Sequence, residues 1–263
     1  MTLRTSETQP VSICVLAMVK RERVRSIIRS AFPRRRAQLQ LVKSATEISD
    51  QLVKQLVDAV IVDASAGDEA VRVLQLAADF PSIPFLLATG LLPHDAPLIG
   101  RAADWGIAEV LVEGMDDFVA RDIVLHLAFS SRFERALARP PESLRLDTPL
   151  QLAVWQSVVR RAGRPVRTDQ LAKELGVSRE HLSRSFAVGQ APTLKRVIDL
   201  VRLLAAAELA KNPGYDIRDV AEVLGFASSS HLSGTTQRLV GARASSLTRL
   251  RAVDLIERFG KNR

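Results

Sequence analysis

Cysteine, aromatics and long apolar runs are all scarce in this chain. Its one cysteine excludes an internal disulfide, and Cys14 sits inside the apolar run Val11 to Val19, where it reads as a small buried hydrophobe. Aromatic residues make up 5% of the 263 against 47% apolar residues, so the core must come from Leu, Val, Ile and Ala. That supply suits helices and parallel strands better than a β-sandwich. No run approaches the ~20 apolar residues of a membrane span, and the N-terminus lacks an apolar stretch set between positive charge and a cleavage site. A cytoplasmic protein is expected. His94 and His126 have no spaced Cys or carboxylate partners, so neither a metal site nor a cofactor is expected.

Net charge is +8 and unevenly distributed. Residues 1–143 hold 17 Lys/Arg against 18 Asp/Glu, whereas residues 144–263 hold 20 against 11. A basic half joined to a neutral one fits phosphate-backbone binding, because counterion release supplies most non-specific affinity for nucleic acid. A membrane surface is the weaker alternative, since no basic amphipathic helix with large apolar anchors is visible.

Five apolar runs, Val11 to Val19, Ala37 to Val42, Ala59 to Asp63, Ile83 to Thr89 and Ile107 to Val112, alternate with helical periodicity over 22–31, 46–57, 68–79, 95–104 and 116–137. Phe32-Pro33, Phe80-Pro81, Gly90 and Trp105-Gly106 punctuate them. This (βα)5 order calls for an α/β domain with a doubly wound, five-stranded parallel sheet covered on both faces. Arg139-Pro140-Pro141-Glu142-Ser143 cannot continue a helix. The expected domains are therefore 1–138, a linker at 139–147, and 148–263. The second domain reads as all-α, with about seven helices separated by short Gly- or Pro-bearing loops.

Within the helical half, one device occurs twice. Thr168 to Phe186 places Ala172, Gly176 and Leu182 at spacings that suit a helix-turn-helix, with Thr168 as N-cap of the first helix and Ser178 as N-cap of the second. Gly176 supplies the positive φ of a sharp turn. Val177, Leu182 and Phe186 face inward, leaving Arg179, Glu180, Ser183 and Arg184 outward, where side chains could enter a major groove. Ala221, Gly225 and His231/Leu232 repeat the spacing, with Ser228, Ser229, Ser230, Ser233 and Arg238 as the second set of DNA-facing candidates. Thr193 to Lys211 is long enough as a helix to span ~28 Å and set two recognition helices about one DNA turn apart.

These motifs resemble the AraC/XylS family of transcription regulators over about residues 165–250. The matching residues are Leu171-Ala172, Gly176-Val177-Ser178, Leu182-Ser183-Arg184-Ser185-Phe186, Val201-Arg202-Leu203, Leu209, Ile217, Val220-Ala221, Gly225-Phe226 and Ser230. The resemblance implies a monomer able to place two helices in successive major grooves on one DNA face. It also implies duplex DNA and RNA polymerase as partners. Gly234 and Thr236-Gln237 stand where the family carries an Arg and a Phe-Lys pair, and Ala244 replaces its usual Pro. A structural or phosphate-holding role for the second unit is therefore as open as base reading.

The N-terminal half resembles a response-regulator receiver. Asp63 ends the third strand where that family carries its phosphoacceptor, and Thr89 ends the fourth at the place of the switch hydroxyl. The rest of the site is missing: Val19-Lys20-Arg21 replaces the acidic pair that holds Mg²⁺, and Glu113 stands where a Lys should follow strand five. The expectation is a phosphorylation-independent pseudo-receiver, serving for dimerisation with a second copy or for another protein contact. Residues 20–36 hold eight Lys/Arg and one acid. That segment reads as a solvated basic face, as the source of a salt bridge from Lys20 or Arg21 to Asp63, or as an accessory contact to DNA or an acidic partner.

An enzyme is not expected, because Lys20-Arg21-Glu22-Arg23 is no phosphate cradle and no nucleophile and base pair is evident. The leading expectation is sequence-specific transcription control. Its alternative is a protein-interaction adaptor whose helical domain no longer binds DNA.

Overall fold

A computed structural model describes residues 13–34, 37–186 and 189–262. Val11, at the start of the first apolar run, and Arg35 and Arg36 of the basic segment lie outside them. The chain divides into two compact units: Ser12–Arg132 with Asn212–Asp219, and Phe133–Lys211 with Val220–Arg263.

The α/β unit alternates strands and helices as β1 (Ile13–Met18), α1 (Glu22–Ala31), β2 (Ala37–Leu41), α2 (Ala45–Lys54), β3 (Ala59–Asp63), α3 (Asp68–Leu76), β4 (Phe85–Thr89), α4 (Ala96–Ala102), β5 (Glu109–Val112) and α5 (Asp117–Leu127). The strands are parallel in the order β2-β1-β3-β4-β5, the doubly wound sheet that the alternation calls for. Every residue of β1, β3 and β4 is buried, because central strands of such a sheet are covered on both faces. β2 and β5 lie at the edges and carry polar residues such as Gln38 and Glu109. The register sets Asp63 beside Ala88 and Thr89 beside Val112. The ends of β3 and β4 and the loop after β1 therefore share the carboxyl edge of the sheet, the usual ligand side of this fold.

One expected helix is two. The span 116–137 breaks at Ala128 (φ −48°, ψ 138°), after which α6 (Phe129–Ala136) begins. The cause is Asp58, a buried acid just before β3. Its carbonyl accepts the Phe129 N–H (3.0 Å) and its carboxylate accepts the N–H groups of Ser130 (2.9 Å) and Cys14 (2.8 Å). Amides at the start of α6 are thus satisfied from another element, which makes a fresh helix start cheaper than continuation.

The helical half contains α7 (Pro149–Arg160), α8 (Thr168–Glu174), α9 (Arg179–Ser185), α10 (Leu194–Leu209), α11 (Ile217–Val223), α12 (Ser229–Val240) and α13 (Ala252–Lys261), with no strand among its described residues. α10 is its axis: ten of its sixteen residues are buried, and at 1.5 Å per residue it is about 24 Å long. Among the described residues no helix is long and apolar enough to cross a membrane.

Asp58→Ala should leave two amides, those of Cys14 and Ser130, without their carboxylate acceptor, and is expected to cost about 2–3 kcal/mol of stability. Denaturant unfolding of the full chain measures it, and a loss below about 0.5 kcal/mol would remove Asp58 as the cause of the helix break.

Candidate functional sites

At the carboxyl edge of the sheet, two fully buried carboxylates, Asp63 and Asp95, face one cation. Arg21 follows β1 and turns inward, 17% exposed. Its backbone N–H donates to Asp63 Oδ2 (2.8 Å), while Nε and Nη2 both donate to Oδ1 (2.9 and 2.6 Å). Nη2 also reaches the Ala88 carbonyl (3.1 Å), and Nη1 lies 3.5 Å from both Asp95 and Glu113. Lys20 contributes only its backbone N–H to Asp63 (3.1 Å), and its side chain is exposed. Of the two adjacent cations, Arg21 makes the ion pair. A planar fork suits a carboxylate in a bidentate manner, whereas an ammonium does not.

Asp95 is the acid that sequence reasoning missed. It accepts from the Thr89 hydroxyl (2.7 Å) and from the N–H groups of Gly90 (3.1 Å) and Leu92 (3.4 Å). Thr89 Oγ1 in turn accepts the Leu91 N–H (2.9 Å), holding Leu91 at φ 55°, a left-handed conformation unusual for leucine. A Cβ on Gly90 would stand 2.5 Å from Arg21 Nη1, so glycine there leaves room for the guanidinium. Lys20, Asp63 and Thr89 thus lie at one edge, with Arg21, Asp95 and Glu113 completing the cluster.

Burial alone would raise the carboxyl pKa of Asp63, but the side-chain and backbone bonds from Arg21, with those from Ser65, outweigh it and hold the group below its ordinary value. Asp95 is lowered in the same way: burial opposes it, and Thr89, Gly90, Leu92 and the charge of Arg21 prevail. Arg21 answers upward, burial being outweighed by the hydrogen bond and charge of Asp63 and by Asp95 and Glu113. A carboxyl that titrates lower when folded contributes stability above its unfolded pKa, near about 3.9, and that stability is lost as pH falls through the folded value. Asp63→Asn is therefore expected to be less stable than the parent at pH 7, with the gap closing below about pH 4. Thermal melts from pH 7 to 3 measure this, and parallel curves would contradict it.

In the helical unit, α8 and α9 form the first helix-turn-helix. Gly176 turns between them at φ 67°, and the Ser178 hydroxyl accepts the His181 N–H (3.1 Å), capping α9. The first helix is capped differently from expectation. Thr168 is already helical and Arg167 is the cap, its N–H donating to Gln170 Oε1 (3.0 Å), since a glutamine side chain at this distance satisfies the amide without a hydroxyl. Leu182 and Phe186 are buried, Val177 is half-buried, and Gln151 of α7 holds the end of α9 by donating to the Ser185 carbonyl (2.9 Å). Arg179, Glu180, Ser183 and Arg184 are all exposed, Glu180 and Arg184 opposite Leu182 and the other two toward its flanks.

α11 and α12 form the second. Gly225 turns at φ 64°, and Ser228 caps α12 by accepting the His231 N–H (3.1 Å). Arg202 of α10 holds the turn: its guanidinium donates twice to the Leu224 carbonyl (3.1 and 2.8 Å) and lies 3.8 Å over the Phe226 ring. Burial lowers its pKa against the opposing charge of Asp199, without making it neutral at ordinary pH. Ser230 is exposed, whereas Ser229 and Ser233 are half-buried. Arg238, though 55% exposed, is directed to Asp199 (3.3 Å). Thr236 is buried, its hydroxyl donating to the Leu232 carbonyl (2.8 Å), and a Cβ added at Gly234 would meet only open space. Asp199 and the holding role of Arg202 were not anticipated, although Arg202 was among the residues that carried the family resemblance. Arg202→Ala should cost about 2 kcal/mol of stability through the lost charged bonds and ring contact. Denaturant unfolding checks it, and a cost near zero would mean that other contacts hold the turn.

Residues 171–249 match the helix-turn-helix domain family. A regulator from Rhizobium meliloti (strain 1021), described as the HTH-type transcriptional regulator GlxA, is 28% identical over 135 residues, 51% of this chain. The chain spans 42% of that relative's length. Among solved structures, a response regulator from Thermotoga maritima covers 46% of this chain and is itself covered completely, at 16% identity and a TM-score of 0.39. Full-length FixJ from B. japonicum covers 72% and is 95% covered, at 15% and 0.39. The strand order of the α/β unit is that of the flavodoxin-like doubly wound folds, whereas the helical unit has a sequence match over residues 171–249. Its two glycine turns, its two serine-capped helices α9 and α12 and the match over residues 171–249 agree in placing a helix-turn-helix domain in the C-terminal part of this chain.

Proposed function

We propose that the chain regulates transcription by sequence-specific binding to duplex DNA, its two helix-turn-helix units entering successive major grooves. The observation that carries this reading is α9, on which Arg179, Glu180, Ser183 and Arg184 are all exposed while Leu182 and Phe186 anchor its buried side. Arginine and glutamate reach base edges in the major groove, arginine to guanine and glutamate to the cytosine amine. The α/β unit serves as a regulatory or dimerisation module whose state does not depend on phosphorylation. Arg21 supports this: a guanidinium already neutralises the acids where a receiver would need Mg²⁺ and a lysine.

The two units divide the work unequally. α12 offers the short side chains of Ser229, Ser230 and Ser233, a bare Gly234, and an Arg238 engaged by Asp199. It positions the protein on the backbone, and α9 reads.

Arg184→Ala is expected to cost ~1–3 kcal/mol on the preferred duplex and much less on random DNA. Equal losses on both, by fluorescence anisotropy at one fixed salt concentration, would remove Arg184 from the reading set. Gly234→Arg should raise affinity for both DNAs with little gain in discrimination, and a gain confined to the preferred duplex would mean that α12 reads bases. On treatment with acetyl phosphate and Mg²⁺, the peptide containing Asp63 should keep its unmodified mass. An acyl-phosphate adduct there would overturn phosphorylation independence.

A further inference from the structure

The basic segment after β1 is only partly absorbed by the Asp63 cluster. Arg21 is turned inward, and Arg25 is tied to Glu22 (2.9 Å) and to the Val19 carbonyl (2.9 Å). The remaining cations lie outside. Arg23 is 88% exposed, with Glu113 3.7 Å away, and Lys20, Arg29 and Arg34 are exposed with no ion pair among the described residues.

α1 buries Val24, Ile28 and Ala31. At 100° per residue, the side opposite them carries Glu22, Ser26, Arg29 and Ser30, with Arg23 and Arg25 at its margins. Ser26, Arg29 and Ser30 are exposed, and Ile27, half-buried, is the nearest apolar side chain. The face thus offers guanidinium groups and short hydroxyls, with one carboxylate, Glu22, engaged by Arg25, and with apolar side chains only at its margin, in Ile27 and Leu92. Insertion into a lipid surface needs an apolar anchor within the face. A protein interface draws its energy from buried aromatic or aliphatic groups, which lie here only at the edge of the face, in Leu92 and Ile27. Polyphosphate backbone is what this chemistry fits: arginines pair with phosphate oxygens, serine hydroxyls donate to them, and short side chains let the strand approach. Arg23 and Arg29 are separated by about 9 Å along the helix, and each DNA strand carries a phosphate about every 3.4 Å, so both can be neutralised at once.

We propose that the outer face of α1 and the turn after it form a second, sequence-independent contact to duplex DNA, made to backbone phosphates through Arg23 and Arg29 of the helix and Arg34 beyond its end. This rests on the reading of the chain as a DNA-binding protein and adds the α/β unit to the surface that binds.

The test uses the full chain and a duplex of at least about 40 base pairs containing its preferred sequence. The triple variant Arg23→Gln, Arg29→Gln, Arg34→Gln is compared with a control of equal charge, Lys43→Gln, Lys54→Gln, Arg72→Gln, whose sites are exposed elsewhere on the same unit. Each phosphate contact contributes about 0.9 to the slope of log affinity against log salt. The α1 triple should flatten that slope by about two to three and leave the selected sequence unchanged, while the control changes it by less than one. Arg29→Gln and Arg34→Gln alone have no ion pair to lose and should each flatten it by about one. Wild-type binding with equal slopes for both triples would overturn the α1 contact alone. Loss of binding to phosphatidylglycerol vesicles with unchanged DNA binding would assign the face to a membrane instead. Failure of the wild type to bind any duplex would overturn the underlying reading as well.

Discussion

Two carboxylates are buried at the carboxyl edge of a parallel sheet, and an isolated buried charge is among the most costly things a fold can contain. Asp63 and Asp95 are both inaccessible to solvent, and Arg21 lies between them with Glu113 at its outer side. The arrangement of the β1–α1 and β4–α4 loops follows from that requirement. Arg21 must turn inward, Gly90 must leave it space, and Thr89, Gly90 and Leu92 must spend their donors on Asp95. Arg21 thus neutralises from within the chain what would otherwise be two uncompensated buried charges.

The helical unit meets a different constraint. α8, α9 and α11 have seven residues each, too short to be stable by themselves in water. Their order comes from outside: glycine turns, serine caps, Gln151 at the end of α9 and Arg202 under the second turn. Holding the recognition helices from behind leaves their outer faces free of structural duty. On α9 that freedom is filled by long charged side chains, and on α12 by short ones.

Most of the architecture was legible because the determinants are local. Short apolar runs alternating with helical periodicity mark β1 to β5, and the Ala-x₃-Gly spacing marks both helix-turn-helix units. What escaped depends on partners distant in sequence. The break at Ala128 is imposed by Asp58, 71 positions upstream of Phe129, and nothing in the periodicity of 116–137 hints at it. Asp95 opens the helical span 95–104, and its burial appears only once β4 brings Thr89 within hydrogen-bond reach. Lys20 and Arg21 were equal candidates for Asp63, because the direction in which a loop turns is not written in composition. Arg238 reads as a free cation on an outer helix face until α10 sets Asp199 beside it.

The central claim is that the helical unit reads sequence chiefly through α9. It is tested most directly by selecting bound sequences from random duplex DNA with the full-length protein, then measuring single base-pair substitutions across the selected site. The account predicts one enriched sequence in which substitutions under α9 cost ~1–3 kcal/mol and those one helical turn away, under α12, well under 1. Equal penalties in both halves would contradict the division of labour, and no enriched sequence would contradict sequence-specific binding itself.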